Sequence, residues 1–253
     1  MRHDSRSAAP ETCVPKPQAF GTIAQLSCPA RCWRNATAVN YELAPAWLPW
    51  SAVDPDLIDW AFAVGETPAP VEAAVDGFGI WCDTGDRYSN PTRGDRFLAA
   101  LAQSRADASR KRPLTCALVA EWQRLALGMP EIAFRQGDAF AKGGRERYAL
   151  TPHTQRDFEH CLRESADPSV PLASRAGRAY LDVAFFHPFP DGNARLAMLT
   201  LAYVLELEGV RLDQVGPLET TRYADDAAGA ADLAALVSVL IRSTHHRATR
   251  AGH

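Results

Sequence analysis

From Arg93 onward, apolar residues recur at three- and four-residue intervals, the period of helices that bury one face. Phe97, Leu98 and Leu101 predict a short helix. Leu114, Leu118, Trp122 and Leu125 predict a second, ended by Gly128 and Pro130. Phe158, Cys161 and Leu162 mark a third. Thr151-Pro152 is expected to open it, the hydroxyl as N-cap and the proline at the first helical position. Asp167-Pro168 and Pro171 break that helix. A fourth follows, with Ala176, Ala179, Tyr180, Val183 and Phe186 on its inner face. Pro188 and Pro190 stop it, since each lacks an N–H and restricts the residue before it. Asn193 through Glu208 is apolar almost all round, the pattern of a buried helix, and Gly209 supplies its stop. The last helix, Asp225 to Arg242, turns Leu233, Leu236, Val237, Leu240 and Ile241 to one side, with His245 and His246 expected as solvated residues at its frayed end.

Glu131 to Ala149 interrupts this period. Ile132 and Phe134, the glycines at 137, 143 and 144, and then Tyr148 fit a short hairpin. Before Arg93 the pattern is weaker. Residues 1–50 read as irregular, with Trp33, Trp47 and Trp50 as anchors, and Asp54 to Gly65 as one short helix. Glu66 to Asn90 is punctuated by prolines and glycines and reads as loops, with short strands around Phe78-Gly79-Ile80-Trp81. The chain is therefore expected to be mainly α: a helical bundle over 93–245, an irregular N-terminal extension over 1–92 and a C-terminal tail at 246–253.

Composition adds exclusions. At 47% hydrophobic and 23% charged, the 253 residues can bury a sizeable core. The net charge of −3 comes without a polybasic stretch, so neither nucleic acid nor an anionic membrane is an expected partner. No apolar run approaches the ~20 residues of a membrane span. The first 30 residues lack the continuous apolar core of a signal peptide. Six cysteines without a regular framework suit reduced thiols in a cytoplasm, and the Cys28/Cys32 pair has no companions that would make it a metal site.

The candidate chemistry lies where the fourth helix gives way to the buried one, at His187-Pro188-Phe189-Pro190-Asp191-Gly192-Asn193-Ala194-Arg195. The first turn of a helix presents N–H groups outside the helical ladder and roughly half a positive charge, a setting for phosphate. Gly192 allows successive N–H groups to point at one site. Arg195 falls in that first turn, where a cation opposes the helix dipole, and an anionic ligand would remove the conflict. Asp191 is a hard oxygen ligand of the kind Mg2+ takes beside nucleotide phosphates. His187, with an ordinary pKa near ~6.5, can take a proton from a hydroxyl.

This stretch resembles the Fic (filamentation-induced-by-cAMP) motif, H-P-F-x-D/E-G-N-G-R-x-x-R, and the similarity extends over roughly residues 95–245. Phe134-Arg135 through Arg147-Tyr148 resembles the family's β-hairpin flap over the motif loop. The resemblance implies a Mg2+-dependent transferase that moves a nucleotide monophosphate, AMP from ATP in the commonest form, to a hydroxyl on a protein or small molecule. His187 would be the general base and Asp191 the Mg2+ ligand. Gly192, Asn193, Ala194 and Arg195 would hold the donor's phosphates, and Phe189 would anchor the loop. Arg135, Arg145 and Arg147 are the flap cations expected near the substrate path. Two departures stand out: Ala194 replaces the family's second glycine, and Met198 its second arginine. The alternatives this leaves are a catalytically silent nucleotide-binding module, or an enzyme using a diphosphate-linked donor on a small molecule or peptide. Ser7 with Glu11, followed by Thr12, does not make the family's inhibitory motif, and no separate inhibitory partner is evident.

Overall fold

The computed structural model describes residue 73 and residues 75–85, 89–141, 146–168, 170–219 and 227–251. Among these, seven α-helices and one hairpin form the protein: α1 (Gly77–Thr84), α2 (Pro91–Ser109), α3 (Cys116–Leu127), β1 (Ala139–Ala141), β2 (Glu146–Tyr148), α4 (Thr154–Ser165), α5 (Leu172–Phe186), α6 (Asn193–Leu207) and α7 (Ala227–Ala251), with a 3-10 turn at Gly216–Glu219. The mainly α architecture with a hairpin flap is as expected. The readings of residues 1–72, including the Asp54–Gly65 helix, the tryptophan anchors and the Ser7/Glu11 pair, lie outside the described residues.

Helix α6 is the axis of the core. Eleven of its fifteen residues are buried, and α5, α2 and α3 pack around it, with α7 and α4 laid on α5. This is what an all-round apolar helix requires. Capping follows the sequence at several ends. Asn90 accepts from the Arg93 N–H at 3.1 Å ahead of Pro91, and Thr115 accepts from the Leu118 N–H at 3.1 Å. Gly128 closes α3 at φ +66°, a left-handed position that glycine takes without strain. Buried Asp107 on α2 accepts from Trp122 Nε1 at 2.9 Å and so fixes the rotation of α3.

Four expectations change. The strand at 78–81 is helix α1: Asp76 caps it by accepting from the Phe78 N–H at 3.1 Å, and Phe78 and Cys82 enter the core. Gly77 is there for contact with the backbone, since a Cβ would come within 2.6 Å of the Asp213 carbonyl carbon. The short helix around Phe97 runs for 19 residues as α2. Thr151 does not cap α4. Its hydroxyl accepts from the His153 N–H at 3.2 Å in a preceding turn, and α4 begins three residues later. The last helix continues through His245 and His246 to Ala251, so the expected frayed end is a helix interior.

Candidate active site

The site is built on the turn between α5 and α6. His187 ends α5 in the left-handed conformation, φ +48°, and its N–H donates to the Val183 carbonyl at 3.1 Å. Its Nδ1 lies 2.9 Å from the Ala184 carbonyl. A carbonyl can only accept, so Nδ1 carries the proton and Nε2 keeps its lone pair in the neutral ring. That is the tautomer a general base needs. The imidazole also stacks on Tyr148 of β2, ring centroids 4.0 Å apart and planes 16° from parallel.

The loop after His187 is tied from inside. Phe189 is fully buried, and both of its backbone groups go to one side chain: its N–H donates to Asn193 Oδ1 at 3.1 Å, and its carbonyl accepts from Asn193 Nδ2 at 2.7 Å. Asn193 was expected to hold phosphate. Its amide holds the loop through both its oxygen and its nitrogen, and its backbone N–H opens α6. Gly192 has φ +74°, and a Cβ there would sit 2.7 Å from Gln123 Nε2 and 3.0 Å from Leu127 Cδ2. Its N–H donates to Asp191 Oδ1 at 2.6 Å, so of the N–H groups expected for an anion this one is taken by the chain's own carboxylate. The first helical bond of α6 runs from the Leu196 N–H to the Gly192 carbonyl at 3.0 Å. The N–H groups of 193–195 therefore lie ahead of the ladder. Ala194 is exposed, and Arg195 is half-buried with its Nη2 3.3 Å from the Gly192 Cβ position. Met198, one turn on, is 2% exposed and packs in the core.

The flap cations divide. Arg135 was expected near the substrate path. It is 5% exposed and is instead a clamp: Nε donates to the His187 carbonyl at 2.9 Å, Nη1 to Gly137 at 2.6 Å, and Nη2 to Ala149 at 2.9 Å and Phe186 at 3.2 Å. Its own N–H donates to the Pro188 carbonyl at 2.9 Å. Burial pulls its guanidinium below its ordinary pKa, with Asp138 opposing. Arg147 is exposed and pairs with Asp138 at 2.6 Å across the hairpin. Arg145 lies outside the described residues.

Two contributors escaped the sequence reading. Gln123, fully buried on α3, donates through Nε2 to the Asp191 carbonyl and so fixes the base of the carboxylate. Tyr148 was counted only as a strand residue. Neither stands in the nine-residue stretch, and nothing in the pattern of apolar positions distinguishes them from ordinary packing residues. Among the described residues no group of three or more His, Cys, Asp or Glu could hold a metal by itself. Asp191 as a single exposed carboxylate does fit Mg2+ shared with nucleotide phosphates, since that ion takes one or two carboxylates and completes its shell with phosphate and water.

Residues 113–205, from the approach to α3 through most of α6, match the Fic/DOC family. That stretch is similar to a Fic domain. Among solved structures the fold is similar to a His-to-Ala variant of IbpAFic2 crystallised in complex with adenylylated Cdc42. The TM-score is 0.50 at 10% identity, over 75% of this chain and 69% of that one, so the likeness is one of fold. No curated protein matches. The family match supports a Fic-type transferase.

Proposed function

We propose that the protein transfers a nucleoside monophosphate, AMP from ATP, to a hydroxyl of an acceptor. The observation that carries this reading is the pairing of a tautomer-fixed His187 with the helix mouth that holds Arg195. In the step, the acceptor oxygen attacks the α-phosphorus and its proton passes to His187 Nε2. The bond from that phosphorus to the bridging oxygen breaks, and the electron pair leaves on diphosphate. The N–H groups of 193–195 and the Arg195 guanidinium would meet the phosphate charge, a task of positioning and electrostatic stabilisation. Mg2+ held by Asp191 would neutralise the donor's phosphates.

A protein acceptor is the favoured partner, because Phe140 on β1 is 61% exposed on the flap and offers an apolar foothold beside a strand edge. In the fold neighbour named above, the bound partner is the adenylylated protein Cdc42. The buried cysteines Cys82, Cys116 and Cys161, present as thiols, fit a reducing, cytoplasmic setting. No described helix is long and apolar enough to cross a membrane.

The test is incubation with ATP, Mg2+ and candidate acceptors, read by intact mass. A gain of one nucleoside monophosphate that disappears in His187→Ala is expected. Nucleotide binding without any His187-dependent adduct would replace this reading with that of a silent nucleotide-binding module, which the burial of Met198 where the family has an arginine would then explain.

A further inference from the structure

His187 is held by more than its own loop. Tyr148 ends β2 opposite Ala139, is 8% exposed, and lies flat against the imidazole. A buried arginine also ties its strand to His187. The Arg135 guanidinium bonds the Ala149 carbonyl, next to Tyr148 in the chain, and also the carbonyls of Phe186 and His187. Flap and catalytic turn are thus tied through one buried cation.

The imidazole has two torsions to be fixed. The bond from Nδ1 to the Ala184 carbonyl, 2.9 Å, restrains rotation within the ring plane. It restrains tilt of that plane only weakly, because hydrogen-bond directions at a carbonyl are broad. A flat aromatic neighbour at 4.0 Å supplies the missing restraint. It covers a face of the ring and not its edge, where the ring nitrogens lie.

We propose that Tyr148, outside the motif, is a positioning residue for His187: the flap fixes the plane of the general base through the tyrosine face. This rests on the transferase reading above. The flat face does the work and the hydroxyl does not, so the aromatic variant Tyr148→Phe should behave as wild type and the bulky aliphatic Tyr148→Leu should not. Misplacing a general base forfeits part of the ~10²–10⁴-fold it contributes. For Tyr148→Leu a fall in kcat on the order of tenfold is expected, with KM for donor and acceptor little changed.

The experiment measures kcat and KM of the three proteins, their melting curves, and the NMR shifts of the His187 ring protons. Protons held against a tyrosine face are displaced upfield. That displacement is expected in wild type and Tyr148→Phe and is expected to vanish in Tyr148→Leu. Wild-type kcat in Tyr148→Leu would overturn the proposal, as would an equal loss in Tyr148→Phe. Ring protons without upfield displacement in the wild type would overturn it without recourse to any variant. Absence of activity in the wild type sinks the transferase reading itself, an outcome separate from an active enzyme indifferent to Tyr148.

Discussion

Between His187 and Arg195 the motif loop is tied down by buried side chains, Asn193 on Phe189, Gln123 on Asp191 and Arg135 on His187. The flap across from it is two strands of three residues, with Phe140 exposed. The two regions meet through Tyr148 and Arg135. Groups that the proposed transfer would need held still are supported from the core, where an ordered amide or guanidinium can satisfy several backbone groups at once. The element that would receive an acceptor has little core of its own, so its shape can adapt to what it binds.

The contrast breaks first at Gly192. Alanine there meets a left-handed φ and the side chains of Gln123 and Leu127 at 2.7 and 3.0 Å. Gly192→Ala should shift the loop enough to lower kcat on the order of 10²-fold. Full activity in adduct assays would mean that the loop is as forgiving as the flap. Next is Asn193→Ala, which strands the N–H and carbonyl of a fully buried residue. A loss of about 2 kcal/mol or more in urea denaturation is expected.

These effects also mark where the sequence could be read and where it could not. The histidine, the carboxylate and the arginine were legible because their types and spacing form one pattern ahead of a wholly apolar helix. The roles of Asn193 and Arg135 were not. A polar or charged residue near an anion site looks the same in sequence whether it faces the ligand or turns inward to bond the backbone. Gln123 lies 68 residues before Asp191, and only the packing of α3 against α6 brings them together. Helix α1 was misread because Phe78-Gly79-Ile80-Trp81 is β-prone by composition, while contacts to Asp213 and Arg105 decide its shape.

A third prediction concerns the helix that carries His187. Asp182 on α5 is fully buried, and burial pushes its carboxyl up to about 7 despite Arg178 nearby. Ser165 donates to it at 3.2 Å, and Cys161 and Glu164 complete its surroundings on α4. A folded pKa above the unfolded one means that the folded state holds the extra proton. Stability from this group is therefore complete below about pH 4 and declines as pH rises towards about 7, with a limiting slope of about 1 kcal/mol per pH unit. Asp182→Asn should flatten that decline in urea midpoints compared between pH 5 and pH 8. An unchanged slope would show that the burial carries no proton.

The flap side should respond more weakly. Phe140→Ala is expected to leave stability within about 0.5 kcal/mol. For a protein acceptor it should raise KM about fivefold, the scale of a modest interface contact. An unchanged KM would remove the flap from acceptor binding. The smallest expected effect is the absence of one. With Met198 buried and Arg195 as the motif's remaining arginine, ATP and ADP should bind within about threefold of each other in calorimetry at fixed Mg2+. A marked preference for ATP would point to another cation on the third phosphate, with Arg147 on the flap the first to test.

One angle of the backbone has a meaning for anyone who would redesign this protein. His187 sits at φ +48°, where a residue with a Cβ is held about 1 kcal/mol above the glycine that commonly ends a helix. A search for hardier variants, scored on heat resistance alone, would therefore be drawn to glycine at this position and would report success. It would have traded the imidazole for a relaxed turn. A place where the chain is strained is here a place it has to keep, so a screen for robustness needs turnover measured beside it.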